Sequence, residues 1–181
     1  MSDSELIKSY INNWDKNALN CLLSEHLQKI YASCYRVCWN EQDASDITQN
    51  VIIKIIKNIK KFKQESKFST WAYRIAYNES IDFLKKNNRY TQLNYEENLW
   101  DIESENNYED IDKQEMKTTL DSVLTRLNPL DKSIVLYFYY DNLKIREIAE
   151  ILNENENTIK TRLKRVKIKL KNQLEHYEWI Y

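Results

Sequence analysis

The 181-residue chain contains no glycine and one proline, Pro129. Without glycine, a turn that needs positive φ must be made by Asn or Asp, and no glycine-rich loop can cradle a phosphate. With one proline, long helices are rarely interrupted, so an all-α fold is expected. Histidine is nearly absent as well: His26 and His176 are the only two, and no HExxH pair occurs. The three cysteines, Cys21, Cys34 and Cys38, are odd in number and lack a CxxC pair, which argues for reduced buried thiols rather than a disulfide framework. Cys34 and Cys38 stand at i, i+4 with His26 upstream, but a fourth zinc ligand is missing. No metal site and no cofactor is therefore expected. No run approaches the roughly 18 apolar residues of a membrane span, and Met1 to Ser9 lacks a basic segment followed by an apolar core. A cytoplasmic protein without membrane insertion is expected.

The net charge is −1, so no excess of either sign announces a partner. Its distribution is more informative. Between Glu96 and Glu115 the acids Glu96, Glu97, Asp101, Glu103, Glu105, Glu109, Asp110, Asp112 and Glu115 meet a single base, Lys113. Between Asn157 and Asn172 the bases Lys160, Arg162, Lys164, Arg165, Lys167, Lys169 and Lys171 meet no acid. This separates a basic working surface from an acidic connecting segment.

Apolar spacing divides the first half into helices. Leu19, Leu22, Leu23, Leu27, Ile30, Cys34 and Cys38 recur every three or four residues, predicting a helix over Asn17 to Trp39. A second helix is predicted from Asp43 to about Lys60, burying Ala44, Ile47, Val51, Ile55 and Ile59 and turning Asp46, Gln49, Asn50 and Ile53 elsewhere. Ser69 or Thr70 is placed to cap a third, which contains FSTWAYRIAYNESIDFLKK and stops near Asn87. Within it Ala72, Ile75, Ala76 and Phe83 are assigned to the core. Trp71, Arg74 and Asn78, at i, i+3 and i+7, form one strip, with Asp82 continuing along that side. An aromatic ring stacks on an unpaired base, Arg holds phosphate, and Asn offers donor and acceptor to a base edge. Trp71 and Tyr77 serve equally well as core.

Tyr90 to Asp112 lacks sustained periodicity and reads as a linker. Beyond it, helices are predicted over Met116 to Leu127 and Asp131 to Tyr140, with Pro129 in a helix-starting position. In LKIREIAEILNENENTIKTRLKRVKIKL, Ile145, Ile148, Ala149 and Leu152 mark a short helix, Asn153 to Asn157 a tight turn, and Ile159, Leu163 and Val166 the buried face of a second helix. This is helix-turn-helix spacing. Lys160, Thr161, Arg162, Lys164 and Arg165 lie away from that buried face, available to a major groove, while Thr158 near the start of the helix serves either to stabilise that end or to contact phosphate.

Together these segments resemble the extracytoplasmic-function (ECF) class of bacterial RNA polymerase sigma factors. DASDITQNVIIKI, Asp43 to Ile55, resembles the family's Asp-Ala-x-Asp-Leu-x-Gln helix; FSTWAYRIAYNESIDFLKK resembles its Phe-x-Thr-Trp-Leu-Tyr-Arg-Ile-Ala-x-Asn segment; IREIAEIL with NTIKTRLKRVKIKL resembles its promoter-reading helix-turn-helix. The resemblance implies a region 2-like domain over 1–89, a linker over 90–112 and a region 4-like domain over 113–181. It implies a factor that binds core RNA polymerase and directs initiation at promoter DNA, both duplex and melted. Asp46, Gln49, Asn50 and Ile53 would contact the polymerase. Asn78 and the loop from Lys63 to Lys67 would hold a flipped base, Arg74 its backbone, and Trp71 would border it. An anti-sigma factor is a further partner that the family allows. The acidic linker suits either a path through the polymerase channels or mere solubility.

The chain also departs from the family pattern. Asn142 stands where a glycine often precedes the helix-turn-helix, Phe138 where a basic DNA contact is common, and Asp82 adds a negative charge beside the Asn78 strip. An enzyme is not expected: Asp43 and Asp46 suggest a metal-dependent nuclease only if a third acid joins them. The competing non-enzymatic reading is a stand-alone helix-turn-helix regulator whose first half binds another protein.

Overall fold

In a computed structural model of the chain, the described residues are 1–87, 124 and 126–174. They form seven α-helices and one 3₁₀ turn, with no strand among them. Two compact units result, one built on Met1–Leu84 and the other on most of the chain beyond it. The expected linker and most of the helix over Met116 to Leu127 lie outside the described residues, although Leu124 and Leu127 are buried.

The first unit begins with a helix that the periodicity reading omitted, α1 (Asp3–Asn13). Its start is a capping box: the Ser2 hydroxyl accepts the Glu5 N–H at 3.4 Å, and the Glu5 carboxylate accepts the Ser2 N–H at 2.8 Å. Hydrogen bonding to the carboxylate, first from the Ser2 backbone N–H and then from the Ser2 side chain, holds the Glu5 carboxyl below its ordinary pKa. The Ser-x-x-Glu spacing at 2–5 and the apolar spacing of Leu6, Ile7 and Tyr10 were the available signals. Helix α2 (Lys16–Cys38) is capped by Asp15, whose carboxylate accepts the Asn17 and Ala18 N–H groups at 3.0 and 3.2 Å. Its pKa is lowered first by the Ala18 bond and then by the Ser9 hydroxyl.

Helix α3 (Glu41–Asn58) is capped by Asn40 and continues into the 3₁₀ turn Ile59–Lys61. Ala44, Ile47, Val51, Ile55 and Ile59 are all buried, as their spacing predicts. Helix α2 packs on α1 and α3, contributing Leu22, Ile30 and Cys34 to the core. Leu27 departs from its expected place and is 47% exposed, because helical phase does not say how far a neighbouring helix reaches. Helix α4 (Phe68–Lys86) starts before the expected caps, so Ser69 and Thr70 occupy its first turn. Tyr73 and Tyr77 are core residues, whereas Ile75 and Phe83 are only half-buried.

The second unit contains α5 (Pro129–Tyr139), the part of α6 (Ile145–Leu152) as far as Ala149, and α7 (Glu156–Leu174). Asn128 caps α5 by accepting the Asp131 N–H at 2.8 Å, and Pro129 occupies the first turn, where its missing N–H loses nothing. Asn142 and Asn153 take left-handed φ values of 52° and 54° on either side of α6. Asn155 accepts the Asn157 N–H at 2.8 Å and opens α7. Ile148, Leu163, Ile159 and Val166 are buried, and α5 packs on α7.

All three cysteines are free thiols, Cys21 exposed and Cys34 and Cys38 buried. Burial pushes the Cys34 thiol up to about 11. A disulfide-exchange reagent at pH 8 should therefore titrate Cys21 rapidly in the native protein and the other two only on unfolding. Cys21→Ser should remove the fast phase; a second fast thiol would contradict this core.

Candidate nucleic-acid interface

Burying Ala44, Ile47, Val51 and Ile55 turns the opposite side of α3 outward. Asp46, Gln49 and Asn50 are exposed there, and Ile53 is 48% exposed. The structure adds Ile56, 38% exposed and one turn beyond Ile53. An apolar pair beside a polar row is the composition of a protein-binding patch. Lys54 on the same helix forms an ion pair with Glu79 on α4, linking this surface to the next one.

On α4 the core residues Ala72, Ala76 and Leu84 leave Arg74, Asn78 and Asp82 exposed. Trp71 is half-buried, its ring 5.1 Å from Phe62 and 5.8 Å from Phe68 between centroids. These three rings bracket the segment carrying Lys63 and Lys67, both exposed. Gln64 in that segment has φ of 57°, and its side chain accepts the Ser4 hydroxyl at 2.7 Å. Helix α1 thus supports the loop. His26 joins the same ring cluster, edge-on to Phe68 at 5.0 Å, while its Nε2 meets the Asp3 carboxylate at 3.1 Å.

That contact takes His26 away from the cysteines. Among the described residues, the group of potential metal ligands that gathers is Asp3, Glu25 and His26, not His26 with Cys34 and Cys38. Asp43 and Asp46 do not belong to it.

The basic helix α7 places Lys160, Thr161, Lys164 and Arg165 on its exposed side, with Thr158 and Arg162 half-buried. Asn157, Thr158, Thr161, Arg162 and Arg165 line an open groove of about 430 Å³. The Thr161 hydroxyl donates to the Asn157 carbonyl at 2.8 Å, keeping oxygen lone pairs available as acceptors. Arg162 and Arg165 are not loose on the surface as their positions suggested. Arg162 donates to Asp131 Oδ1 at 2.9 Å and Arg165 to Oδ2 at 2.8 Å, and Asp131 is 1% exposed. Asp131 was missed because only folding brings the start of α5 to α7. Phe138, on α5, is half-buried with its ring against Tyr139.

With this geometry in place, comparison with known proteins is direct. Residues 22–90 match the model for Sigma-70 region 2, and residues 117–170 match that for Sigma-70, region 4. The ECF RNA polymerase sigma factor SigW of Bacillus subtilis is 31% identical over 175 residues, covering 91% of this chain and 92% of its own. The RNA polymerase sigma factor SigV of the same organism is 32% identical over 151 residues, covering 83% and 87%. CnrH, solved in complex with the cytosolic domain of CnrY, has a TM-score of 0.66 at 15% identity, covering 97% of this chain and 96% of that one. The sigma factor RpoE of Bartonella quintana, solved with the anti-sigma factor NepR, has a TM-score of 0.64 at 20% identity, covering 87% and 96%. A region 2 followed by a region 4 defines the class of promoter-directing initiation factors. The chain belongs to the ECF RNA polymerase sigma factors. It binds core RNA polymerase and promoter DNA and directs transcription initiation; a stand-alone regulator is not favoured.

Because Asp131 is buried, removing both arginines should strand its carboxylate. Arg162→Ala plus Arg165→Ala should cost about 2 kcal/mol of stability, less than for a fully buried pair because both guanidinium groups are partly solvated. Adding Asp131→Asn should recover part of that loss. Urea unfolding followed by circular dichroism measures both effects; equal stability of the double variant and wild type would contradict the buried-charge account.

Proposed function

We propose that promoter recognition is divided between the two halves of the chain. Residues 1–89 bind core polymerase through Asp46, Gln49, Asn50 and Ile53 and hold melted downstream DNA through Lys63, Lys67, Arg74 and Asn78. Residues 113–181 read the duplex upstream element through Thr158, Lys160, Thr161, Arg162, Lys164 and Arg165, and residues 90–112 connect them. The observation that carries this reading is the outward placement of Arg74 and Asn78 on a helix whose other side is buried. An Asn side chain that no core contact requires suits a base edge, and an Arg one turn away suits the adjoining phosphate.

Trp71 has a smaller part. Its ring already packs on Phe62 and Phe68, so it shapes the loop and presents at most one edge to DNA. Asp82 adds a charge that repels phosphate, and this confines the DNA path to the Arg74 end of the strip. The chain supplies recognition rather than bond chemistry, and it works in the cytoplasm with the polymerase. An anti-sigma factor is a natural partner by likeness to CnrH and RpoE, which were solved with CnrY and NepR.

Run-off transcription with purified core polymerase tests the assignment. Transcripts should appear only when this chain is added; a regulator would instead need another sigma factor present. Asn78→Ala should leave polymerase binding intact and reduce open-complex formation severalfold, measured by permanganate reactivity of unpaired thymines. Asp46→Ala plus Gln49→Ala should weaken core binding with an unchanged circular dichroism spectrum, and undiminished affinity would refute that surface.

A further inference from the structure

We infer that Asp131 is a positioning residue: from the start of α5 it sets the aim of Arg162 and Arg165 and thereby governs upstream-element specificity without touching DNA. This rests on the reading of α7 as the recognition helix. The two arginines are three residues apart, on one side of α7, and each meets a different oxygen of the same carboxylate. The carboxylate is itself immobile. Asn128 donates to Oδ2 at 3.1 Å, while the Asn128 side-chain oxygen accepts the Asp131 backbone N–H at 2.8 Å. The start of α5, capped and closed by Pro129, is thus a rigid mount for both guanidinium groups.

An arginine side chain is long and has many rotamers, and reading a base edge requires one of them. Tethering it during folding moves the ordering cost away from the binding step. Five N–H donors in a planar fork allow one guanidinium to hold a carboxylate and face a nucleotide together. Both arginines line the open groove with Asn157, Thr158 and Thr161, so the tethered groups are presented where DNA would lie. A rival role, in which Asp131 competes with DNA for the arginines, is disfavoured by burial: their withdrawal would strand a carboxylate that is 1% exposed. The bonds therefore persist when DNA is bound.

The test uses holoenzyme assembled from the full chain and core polymerase. Its probes are a duplex selected by wild-type holoenzyme from a randomised pool and a shuffled duplex of equal composition. Asp131→Asn leaves partly solvated arginines rather than a buried charge, so it should fold, as circular dichroism would verify. Its ratio of shuffled to selected Kd should fall about tenfold, the scale of one misdirected bidentate contact. Its salt dependence on the shuffled duplex should stay unchanged, since no phosphate-binding cation is lost. An unchanged ratio, or tighter binding to both duplexes, would overturn the inference. Should Asp131→Asn lose its helical signal, Arg165→Lys decides. It keeps the charge but lacks the fork, so the ratio should fall at constant slope; a wild-type ratio would overturn the proposal. Lys164→Ala separates the two readings. If it changes neither affinity nor slope, α7 does not face DNA and both fall; if it weakens both duplexes alike while Asp131→Asn keeps its ratio, only the positioning role falls.

Discussion

A chain without glycine has to reverse direction using side chains that resist the left-handed conformation, and this constraint organises both units. Trp14, Trp39, Gln64, Asn142 and Asn153 all have positive φ. Such a residue costs roughly 1–2 kcal/mol relative to ordinary backbone. The tryptophans close α1 and α2, and ring packing offsets their strain: Trp39 stacks on Tyr35 at 5.6 Å, Trp14 meets Tyr10 edge-on at 5.9 Å, and Lys60 lies over the Trp14 ring at 3.7 Å. The asparagines flank α6, where no such stacking is needed because their short polar side chains tolerate the conformation. Helix ends stabilised in this way set the directions in which α3, α4 and α7 leave their turns.

Charge follows the same economy of placement. The basic residues of α7 repel one another, and the one buried acid that α5 brings to them converts two of these residues from mobile cations into oriented ones. In the first unit the Lys54–Glu79 ion pair joins α3 to α4, so the surfaces proposed for polymerase and for DNA are neighbours with a defined relation. The Lys54–Glu79 pair, partly solvated, adds little stability, whereas breaking the Asp131 contacts is costly because it would strand a buried carboxylate. Both pairings fix geometry.

Much of this was legible beforehand because helical periodicity is a local property. The stripe of Ala44, Ile47, Val51, Ile55 and Ile59 was read correctly, as were the Pro129 restart and the turn at Asn153. The all-α class followed from the lack of glycine and the single proline, and the sigma-factor assignment from three motifs in order. Other features escaped for identifiable reasons. Helix α1 was overlooked although it carries both a cap and a stripe of Leu6, Ile7 and Tyr10, because that stripe spans only about two turns. Leu27 has core phase but no cover. The Asn-or-Asp expectation for positive φ missed Gln64 and both tryptophans, since a bond from α1 and ring packing four residues back are invisible to residue preference.

The sequence alone determined that the chain is helical, that its helices have buried and outward faces, and that its bases gather on one helix, because each of these depends on residues within a few turns of one another. Tertiary structure decided which outward residues are engaged. Asp131 reaches Arg162 and Arg165 across 31 and 34 residues, Ser4 reaches Gln64 across 60, and His26 meets Asp3 instead of the cysteines. Such pairings depend on how helices pack against one another, and spacing within a single helix carries no record of that.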